Sequence, residues 1–304
     1  MANIITPAML QTFERAFHVA AQQKETLLSV SGVVKYLTSD GKTNNYATLS
    51  PFELVEAMGQ NPNKSYGDYT TSNRQMTKRR FTKTIYIDDK DDVNELITDP
   101  TSYLVQGLVY AKNRVIDRII ASAAAGNVLI GAPNAVPESK TAAQDGVKTV
   151  DATGGLTYSA IQTITQNFIN NDLTIDEFRG SVLAISGQEN TALMGEEKFI
   201  NNEYMNGNTV NAGIVSNAGI YKTALFAGSV TGDSTVENPV LAENETTRTC
   251  LVLAPQSILV SMKLNDLRVE PSYTKVGSNE VTIDLWINAM RAEGKRVQIL
   301  KTTF

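Results

Sequence analysis

Histidine and cysteine are almost absent from this sequence, which has one of each in 304 residues. Because Cys250 is alone, no disulfide bond can form within the chain, and its apolar surroundings, "TCLVLAP", predict a buried and unreactive thiol. His18 stands beside an apolar helical stripe, where we expect a packed or surface side chain. The usual zinc sites and the Ser–His and Cys–His triads are therefore excluded, and we expect neither an enzyme nor a bound cofactor.

Long apolar runs and an excess of positive charge are also missing. No stretch of about 20 apolar residues is present, so we expect no membrane partner. Lys and Arg number 27 against 32 Asp and Glu, which gives a formal net charge of -5 at pH 7. A protein that holds nucleic acid by broad charge neutralisation has the opposite balance. Any contact with DNA is therefore expected not to depend on a basic surface.

Two segments have apolar residues at the spacing of three and four that is typical of an amphipathic helix. They are predicted over about residues 6–21 and 100–125. Each begins with an N-cap residue followed by proline, at Thr6-Pro7 and at Asp99-Pro100. The second is the stronger prediction, and Gly126 is expected to end it.

Between these helices the sequence predicts strands. Residues 31–86 contain short alternating runs around a middle rich in Gly, Asn, Ser and Thr, which predicts a long two-stranded excursion that is stable only against another surface. Residues 127–156 are small and polar and are predicted to be a connector.

The second half of the chain predicts an α/β lobe followed by strands. Thr157 is expected to cap a helix, which is followed by the buried strand "SVLAIS" and a further helix through about Phe199. The run "PQSILVSMK" is predicted as a short helix. Residues 281–290 alternate apolar and polar side chains, which predicts a strand with one buried face.

An abrupt reversal of charge lies in "TKRRFTKTIYIDDKDD". The cations of this region are Arg74, Lys78, Arg79, Arg80 and Lys83, and the nearby anions are Asp88, Asp89, Asp91 and Asp92, with Glu53 and Glu56 further back. The acidic run could bind a cation, although it lacks the pattern of a calcium loop. The basic run could contact nucleic acid or keep an exposed strand edge soluble. A third hypothesis treats the two runs as complementary surfaces on neighbouring copies of the chain.

The order of these segments resembles the tailed-bacteriophage major capsid protein of the Hong Kong 97 type. The resemblance is strongest where "RQMTKRRFTKTIYIDDKD" leads to "DPTSYLVQGLVYAKNRVIDRIIASAAAG", with Asp117 in the last third of the helix. It implies an α+β fold, the Hong Kong 97-type capsid fold. The implied parts are an N-terminal arm (1–30), an extended two-stranded loop (31–86), a peripheral lobe with a long spine helix (87–156 and 248–304) and an α/β axial lobe (157–247).

The resemblance also implies a function. Hexamers and pentamers of one chain would form an icosahedral shell around double-stranded DNA, without sequence-specific contact. The implied partners are further copies of the chain, a scaffolding protein, a portal and a decoration protein. The protein would be located in the virion capsid after assembly in the host cytoplasm. In this setting we expect the cations at 74–83 to reach carboxylates of an adjacent subunit.

Three rival interpretations stay open at this point. An encapsulin-type nanocompartment shell has the same fold and would give the same pattern. A soluble α/β hydrolase would use carboxylates such as Asp88 and Asp92. Another phage structural part, such as a tube or decoration protein, would form rings or bind a preformed lattice.

Overall fold

The computed structural model describes residues 24–29, 31–38, 41–50, 70–88, 100–132, 135–195, 221–226, 247–272 and 278–303, together with Phe52, Leu54 and Glu56. The helix predicted over residues 6–21, with His18, lies outside these residues. The strands are β1 (Val34–Tyr36), β2 (Thr43–Leu49), β3 (Thr71–Thr77), β4 (Arg79–Asp88), β5 (Val128–Gly131), β6 (Glu138–Lys140), β7 (Lys148–Thr153), β8 (Ser181–Ser186), β9 (Tyr221–Phe226), β10 (Thr247–Leu253), β11 (Ile258–Pro271), β12 (Ser278–Arg291) and β13 (Val297–Thr303). The helices are α1 (Pro100–Ala125), α2 (Tyr158–Asn170), α3 (Ile175–Phe178) and α4 (Gly187–Met194), and a short 3-10 helix, Gly294–Arg296, precedes β13.

Helix α1 confirms the strongest prediction from the sequence. Its buried face is apolar and recurs at helical spacing, with Leu108, Ile116, Ile119, Ile120 and Ala124. The helix ends at Ala125, directly before the predicted stop at Gly126, whose N–H makes the last helical hydrogen bond to the carbonyl of Ser122 at 2.8 Å. The apolar face of α1 packs on β11 and β12, so the helix and one sheet share a core.

That sheet has the strand order β1-β11-β12-β4. Strand β12 alternates buried and half-buried side chains along residues 281–289, as predicted, and Met290, which was expected on the other face, is buried as well. The short helix predicted for "PQSILVSMK" is wrong, because its apolar part belongs to β11, which pairs with β1 on one side and β12 on the other. A strand between two neighbours satisfies its backbone groups in the sheet, and β-branched residues such as Ile258 and Val260 favour that state.

The second sheet has the order β2-β3-β5-β6 and contains the predicted two-stranded excursion. Strands β2 and β3 pair antiparallel from Thr43 opposite Thr77 to Leu49 opposite Thr71. We call this pair the loop hairpin. The predicted connector at residues 127–156 is wrong as an unstructured segment, since it contains β5, β6 and β7. Strand β5 pairs with β3 and so attaches the loop hairpin to the segment that follows α1.

The third sheet has the order β7-β13-β10-β8-β9, and we call this sheet with its helices the α/β lobe. All six side chains of β8 are buried, as expected for "SVLAIS". Helix α2 begins with Thr157 as its N-cap, whose hydroxyl accepts from the N–H of Ala160 at 3.3 Å. The ring of Phe168 on this helix stacks on Phe178 with 5.6 Å between centroids, and complete burial of such a side chain contributes about 1.5–3 kcal/mol.

Two boundaries predicted from the sequence, one between lobes and one at the end of a helix, fall in this lobe. Strands β7, β10 and β13 share the sheet with β8 and β9, so one sheet takes strands from both the predicted axial and the predicted peripheral segments. The helix predicted to run through about Phe199 is α4, which ends at Met194, and residues 196–199 lie outside the described part. Cys250 is buried in this lobe, and burial raises the pKa of its thiol far above the usual range.

Candidate functional site

The basic residues predicted from the sequence separate into two groups in the structure. Arg79, Arg80 and Lys83 lie on β4, and all three side chains are exposed. Strand β4 is an outer strand of its sheet, paired only with β12 within the described residues. An exposed strand edge rich in Lys and Arg resists uncontrolled pairing with other strands. This agrees with the solvent-exposed edge that we considered from the sequence.

The alternation of β4 places its cations on opposite faces of the sheet. Arg79 and Lys83 share a face with Phe81 and Ile85, both of which pack against the core that includes α1. Arg80 points to the other face. The exposed cations of β4 therefore lie on the two opposite faces of the sheet and do not form one continuous basic patch.

Arg80 is held by neighbours on its own sheet. Its Nε donates to a carboxylate oxygen of Asp284 at 2.9 Å, and its guanidinium lies 6.0 Å from the ring centroid of Trp286. The hydrogen bond to Asp284 raises the pKa of Arg80 above its usual value. More than half of the Arg80 side chain is still exposed, at 57%. Arg80 therefore remains accessible to another molecule even though it has a partner within the chain.

Arg79 lies at the rim of an open groove of about 400 Å³. The groove runs between β3, the end of α1, β5 and β12, and its apolar lining includes Met76, Ile119, Val128 and Met290. Gln75, Thr77, Asn127 and Asn288 supply polar groups. A cation at the edge of an apolar groove can attract an acidic segment whose apolar side chains fill the groove.

Arg74 and Lys78 have a different position from the one that we expected, because both are buried. Arg74 makes a bidentate ion pair with Asp145 of its own chain, with Nη2 to Oδ1 at 2.6 Å and Nη1 to Oδ2 at 3.0 Å. The charge of Arg74 is therefore paired inside the subunit, whereas we had expected it at the surface that meets an adjacent subunit. Burial removes Lys78 from the exposed surface in the same way.

Asp145 also binds a second arginine that the sequence analysis missed. Nε of Arg291 donates to Oδ2 of Asp145 at 3.0 Å. Nη1 of Arg291 donates to the backbone carbonyls at the end of α1, those of Ala123, Ala124 and Gly126. Burial lowers the pKa of Arg291, and the ion pair with Asp145 opposes that effect. Because 146 positions separate the two residues, no local pattern could reveal the contact.

The acidic residues of the predicted surface are described only in part. Asp88 is the last residue of β4, where its backbone pairs with Ser278. Glu56 is exposed. Asp89, Asp91, Asp92 and Glu53 lie outside the described residues. The structure thus places the exposed cations of β4 on two faces of one outer strand and leaves their predicted carboxylate partners as a hypothesis.

A second buried carboxylate lies at the edge of the α/β lobe. Glu189 accepts from the N–H and the hydroxyl of Ser186 and from the hydroxyl of Thr302, while Arg248 donates to the Ser186 hydroxyl at 2.7 Å. Ser186 is the N-cap of α4, and Ser-x-x-Glu is the sequence signature of this capping box. That signature was available in the sequence. The contacts join β8, β10, β13 and α4, which gives the carboxylate a structural role.

The described ranges contain neither a cluster of potential metal ligands nor a helix able to span a membrane. No group of three or more His, Cys, Asp or Glu side chains within these segments is arranged to hold a metal ion. Among the helices of the described ranges, none combines the length and the apolar character needed to cross a membrane.

Comparison with known families identifies the class of protein. A model of the phage capsid protein family matches residues 5–302, which is almost the whole chain. The chain therefore belongs to the phage capsid protein family, and its function is that of a phage major capsid protein. The hydrolase and nanocompartment interpretations are not favoured by this match. No curated protein matches the sequence.

Solved capsid structures have the same fold at low sequence identity. The capsid of Cyanophage P-SCSP1u matches with a TM-score of 0.67 at 13% identity, over 96% of this chain and 92% of the other. Mycobacterium phage Che8 matches with a TM-score of 0.68 at 10% identity, over 99% and 98% of the two chains. The capsid of Ralstonia phage GP4 matches with a TM-score of 0.67 at 9% identity, over 100% and 98%. The Hong Kong 97-type fold inferred from the sequence is confirmed.

Proposed function

We propose that this capsid protein assembles as hexamers and pentamers into an icosahedral shell that encloses double-stranded DNA in a tailed phage. The match of the capsid family over residues 5–302 carries this proposal. Full-length similarity to solved phage capsids supports it, because the whole chain, and not one lobe, has the fold of a shell subunit. A scaffolding protein, a portal and a decoration protein are the proposed partners, and the host cytoplasm is the proposed place of assembly.

We further propose that the exposed cations of β4 contact carboxylates of an adjacent subunit. Arg79, Arg80 and Lys83 are accessible at an outer strand edge, and the acidic residues Asp88, Asp89, Asp91, Asp92, Glu53 and Glu56 are the candidate partners. Complementary charges fix the register of two surfaces and reject wrong pairings more than they add affinity. A shell that repeats one contact many times needs that kind of selectivity.

The net negative charge of the chain agrees with this assignment. The surplus is five acidic charges, from 27 basic and 32 acidic residues. A subunit of this balance does not hold the DNA backbone by broad charge neutralisation. Packaged DNA would therefore be enclosed without tight or sequence-specific contact.

The test is assembly of the purified protein, alone and with a candidate scaffolding protein from the same gene neighbourhood. Negative-stain microscopy and light scattering report the products. Closed shells of uniform diameter, or capsomer rings that convert to shells, are the expected result. A stable monomer under both conditions would contradict the proposal.

A further inference from the structure

Three buried charged side chains join parts of the subunit that are far apart in the sequence. The exposed fractions of the Arg74, Asp145 and Arg291 side chains are 8%, 3% and 0%. Arg74 lies on β3 in the loop hairpin, Asp145 lies in the turn between β6 and β7, and Arg291 is the last residue of β12. Capsid function by itself does not require such a cluster, so its position needs an explanation.

We propose that Asp145 is a positioning residue for shell assembly, which fixes the direction in which the loop hairpin leaves the subunit by holding Arg74 and Arg291 on one carboxylate. The inference rests on the proposed function, because a loop direction matters only where the loop meets a neighbouring copy. Under this proposal the buried Arg74 orients the loop hairpin within its own subunit, whereas the exposed cations on β4 contact the adjacent subunit.

The loop hairpin leaves the body of the subunit at Arg74. Within the described residues of β3, Arg74 is the last buried side chain towards the tip, and residues 71–73 are half-buried. Beyond the hairpin, Phe52 and Leu54 are exposed. A planar guanidinium bound through two parallel N–H groups holds its carboxylate in one orientation, which a single lysine ammonium cannot do. Nη1 of Arg74 also donates to the backbone carbonyl of Arg291 at 3.3 Å.

The other side of the cluster is anchored on α1. The last carbonyls of a helix have no partner within the helix. Arg291 donates to two of those carbonyls, Ala123 and Ala124, and to the carbonyl of Gly126 directly after the helix, while its Nε holds Asp145. Gly294 allows the Asp145 turn to lie this close to the end of β12, since a Cβ at this position would overlap the Asp145 backbone. The chain of contacts therefore runs from the loop hairpin through Asp145 to the end of the long helix.

The cluster contains two positive charges and one negative charge. Variants of its three residues therefore differ in how much they disturb the rest of the subunit. Two guanidiniums share one carboxylate, so removal of Asp145 would leave two buried cations side by side. Replacement of Arg74 by Met removes the link to the loop hairpin and leaves the pair of Asp145 and Arg291 intact. Methionine fills much of the same volume without charge. Arg74→Met therefore releases the hairpin while it disturbs the rest of the subunit least.

Amide hydrogen exchange on the unassembled subunit tests the inference. The proteins are wild type, Arg74→Met, Arg74→Lys and the control Arg296→Met. Arg296 is also paired with carboxylates, those of Glu177 and Glu293, but at the surface of the α/β lobe. We expect the amides of β2 and β3 to exchange at least tenfold faster in Arg74→Met, less so in Arg74→Lys, and at the wild-type rate in the control. The amides of α1 and β8 should keep their wild-type rates.

Unchanged exchange in the hairpin would overturn the inference, and so would an increase spread evenly over the subunit, which indicates a general loss of stability. If Arg74→Met does not fold, Arg74→Lys decides by the same comparison. Assembly with scaffolding protein is the second readout: Arg74→Met is expected to give open or irregular products where wild type gives uniform shells, and uniform shells would contradict the role. Failure of wild type to form shells would instead contradict the proposed function, while the exchange result would stand.

Discussion

The carboxylate of Asp117, inside the long helix, accepts a hydrogen bond from the backbone N–H of Leu27 at 2.8 Å. Its other oxygen accepts from the N–H of Leu28 at 3.2 Å. The side chain of Asp117 is almost completely buried, at 1% exposure of the residue. One carboxylate thus joins the segment before β1 to the last third of α1, and the resemblance to phage capsids had drawn attention to this aspartate.

Replacement of Asp117 by Asn should lower the free energy of unfolding of the unassembled subunit by about 2 kcal/mol, because an amide offers one acceptor where the carboxylate offers two. Urea titration measures the change. Asp151→Asn is the control, since Asp151 is exposed and surface changes of this kind cost at most about 0.5 kcal/mol. Equal stabilities of the two variants would show that the contacts of Asp117 are not important for the fold.

Two glycines should respond to alanine with opposite signs. A Cβ at Gly294 would overlap the Asp145 backbone, so Gly294→Ala should destabilise the subunit by about 1–3 kcal/mol, the usual cost of overpacking. Gly107 lies inside α1 with open space around its Cβ position, and Gly107→Ala should stabilise by up to about 1 kcal/mol through helix propensity. Thermal denaturation of both variants gives the signs. Stabilisation by Gly294→Ala would mean that the turn of Asp145 moves freely.

The buried thiol of Cys250 predicts a loss of stability in alkaline solution. Burial raises the pKa of Cys250, so above a pH of about 8.5 the unfolded chain loses this proton while the folded chain retains it. The unfolded state then binds fewer protons, and stability falls with rising pH by about 1.4 kcal/mol per unit for one group. Cys250→Ala should lack this contribution.

The measurement is the difference in unfolding free energy between wild type and Cys250→Ala at several values of pH between 7 and about 10.5. Subtraction removes the contributions of lysines and tyrosines that titrate in the same range. The difference should shift in favour of the variant above pH 8.5, the thiol's usual pKa to within about one unit. A difference independent of pH would indicate an exposed thiol.

Charge reversal at Arg79 and Lys83 should prevent shells from forming and leave the subunit folded. Both side chains are exposed on the same face of β4. Arg80 is left unchanged, because its side chain is paired with Asp284, a diagonal neighbour on β12, and a glutamate there would replace that ion pair by two like charges. The matched control reverses Lys35 and Lys148, which are exposed on β1 and β7 and lie opposite the uncharged residues Leu259 and Gln298. Shells from the first variant, or their loss in the control alone, would count against the proposed contact.

The sequence was most informative where one local pattern decides the structure. The stripe of α1, the alternation of β12 and the cap at Thr157 each depend on neighbours within a few residues, and all three were predicted. The strand β11 was predicted as a short helix because a brief apolar run such as "SILV" fits either state. Its pairing with β1 and β12, which are distant in sequence, selects the strand.

In the candidate site, too, only the features that depend on a local sequence pattern could be predicted. Exposed cations at an outer strand were predictable from the charge run around Arg79 and Arg80. The burial of Arg74 was not, because it depends on Asp145, 71 positions away in a turn without a motif. Contacts of this separation leave no periodic signal, and only the folded chain brings the two residues together.

The most direct test of the account is a cryo-electron microscopy map of the assembled shell at a resolution that shows side chains. We predict pentamers and hexamers of this chain, with a carboxylate of an adjacent subunit within about 4 Å of Arg79, Arg80 or Lys83, the range of an ion pair. A shell in which these three side chains contact only solvent or their own chain would contradict the proposed role of the β4 cations. A preparation without shells would contradict the proposed assembly itself.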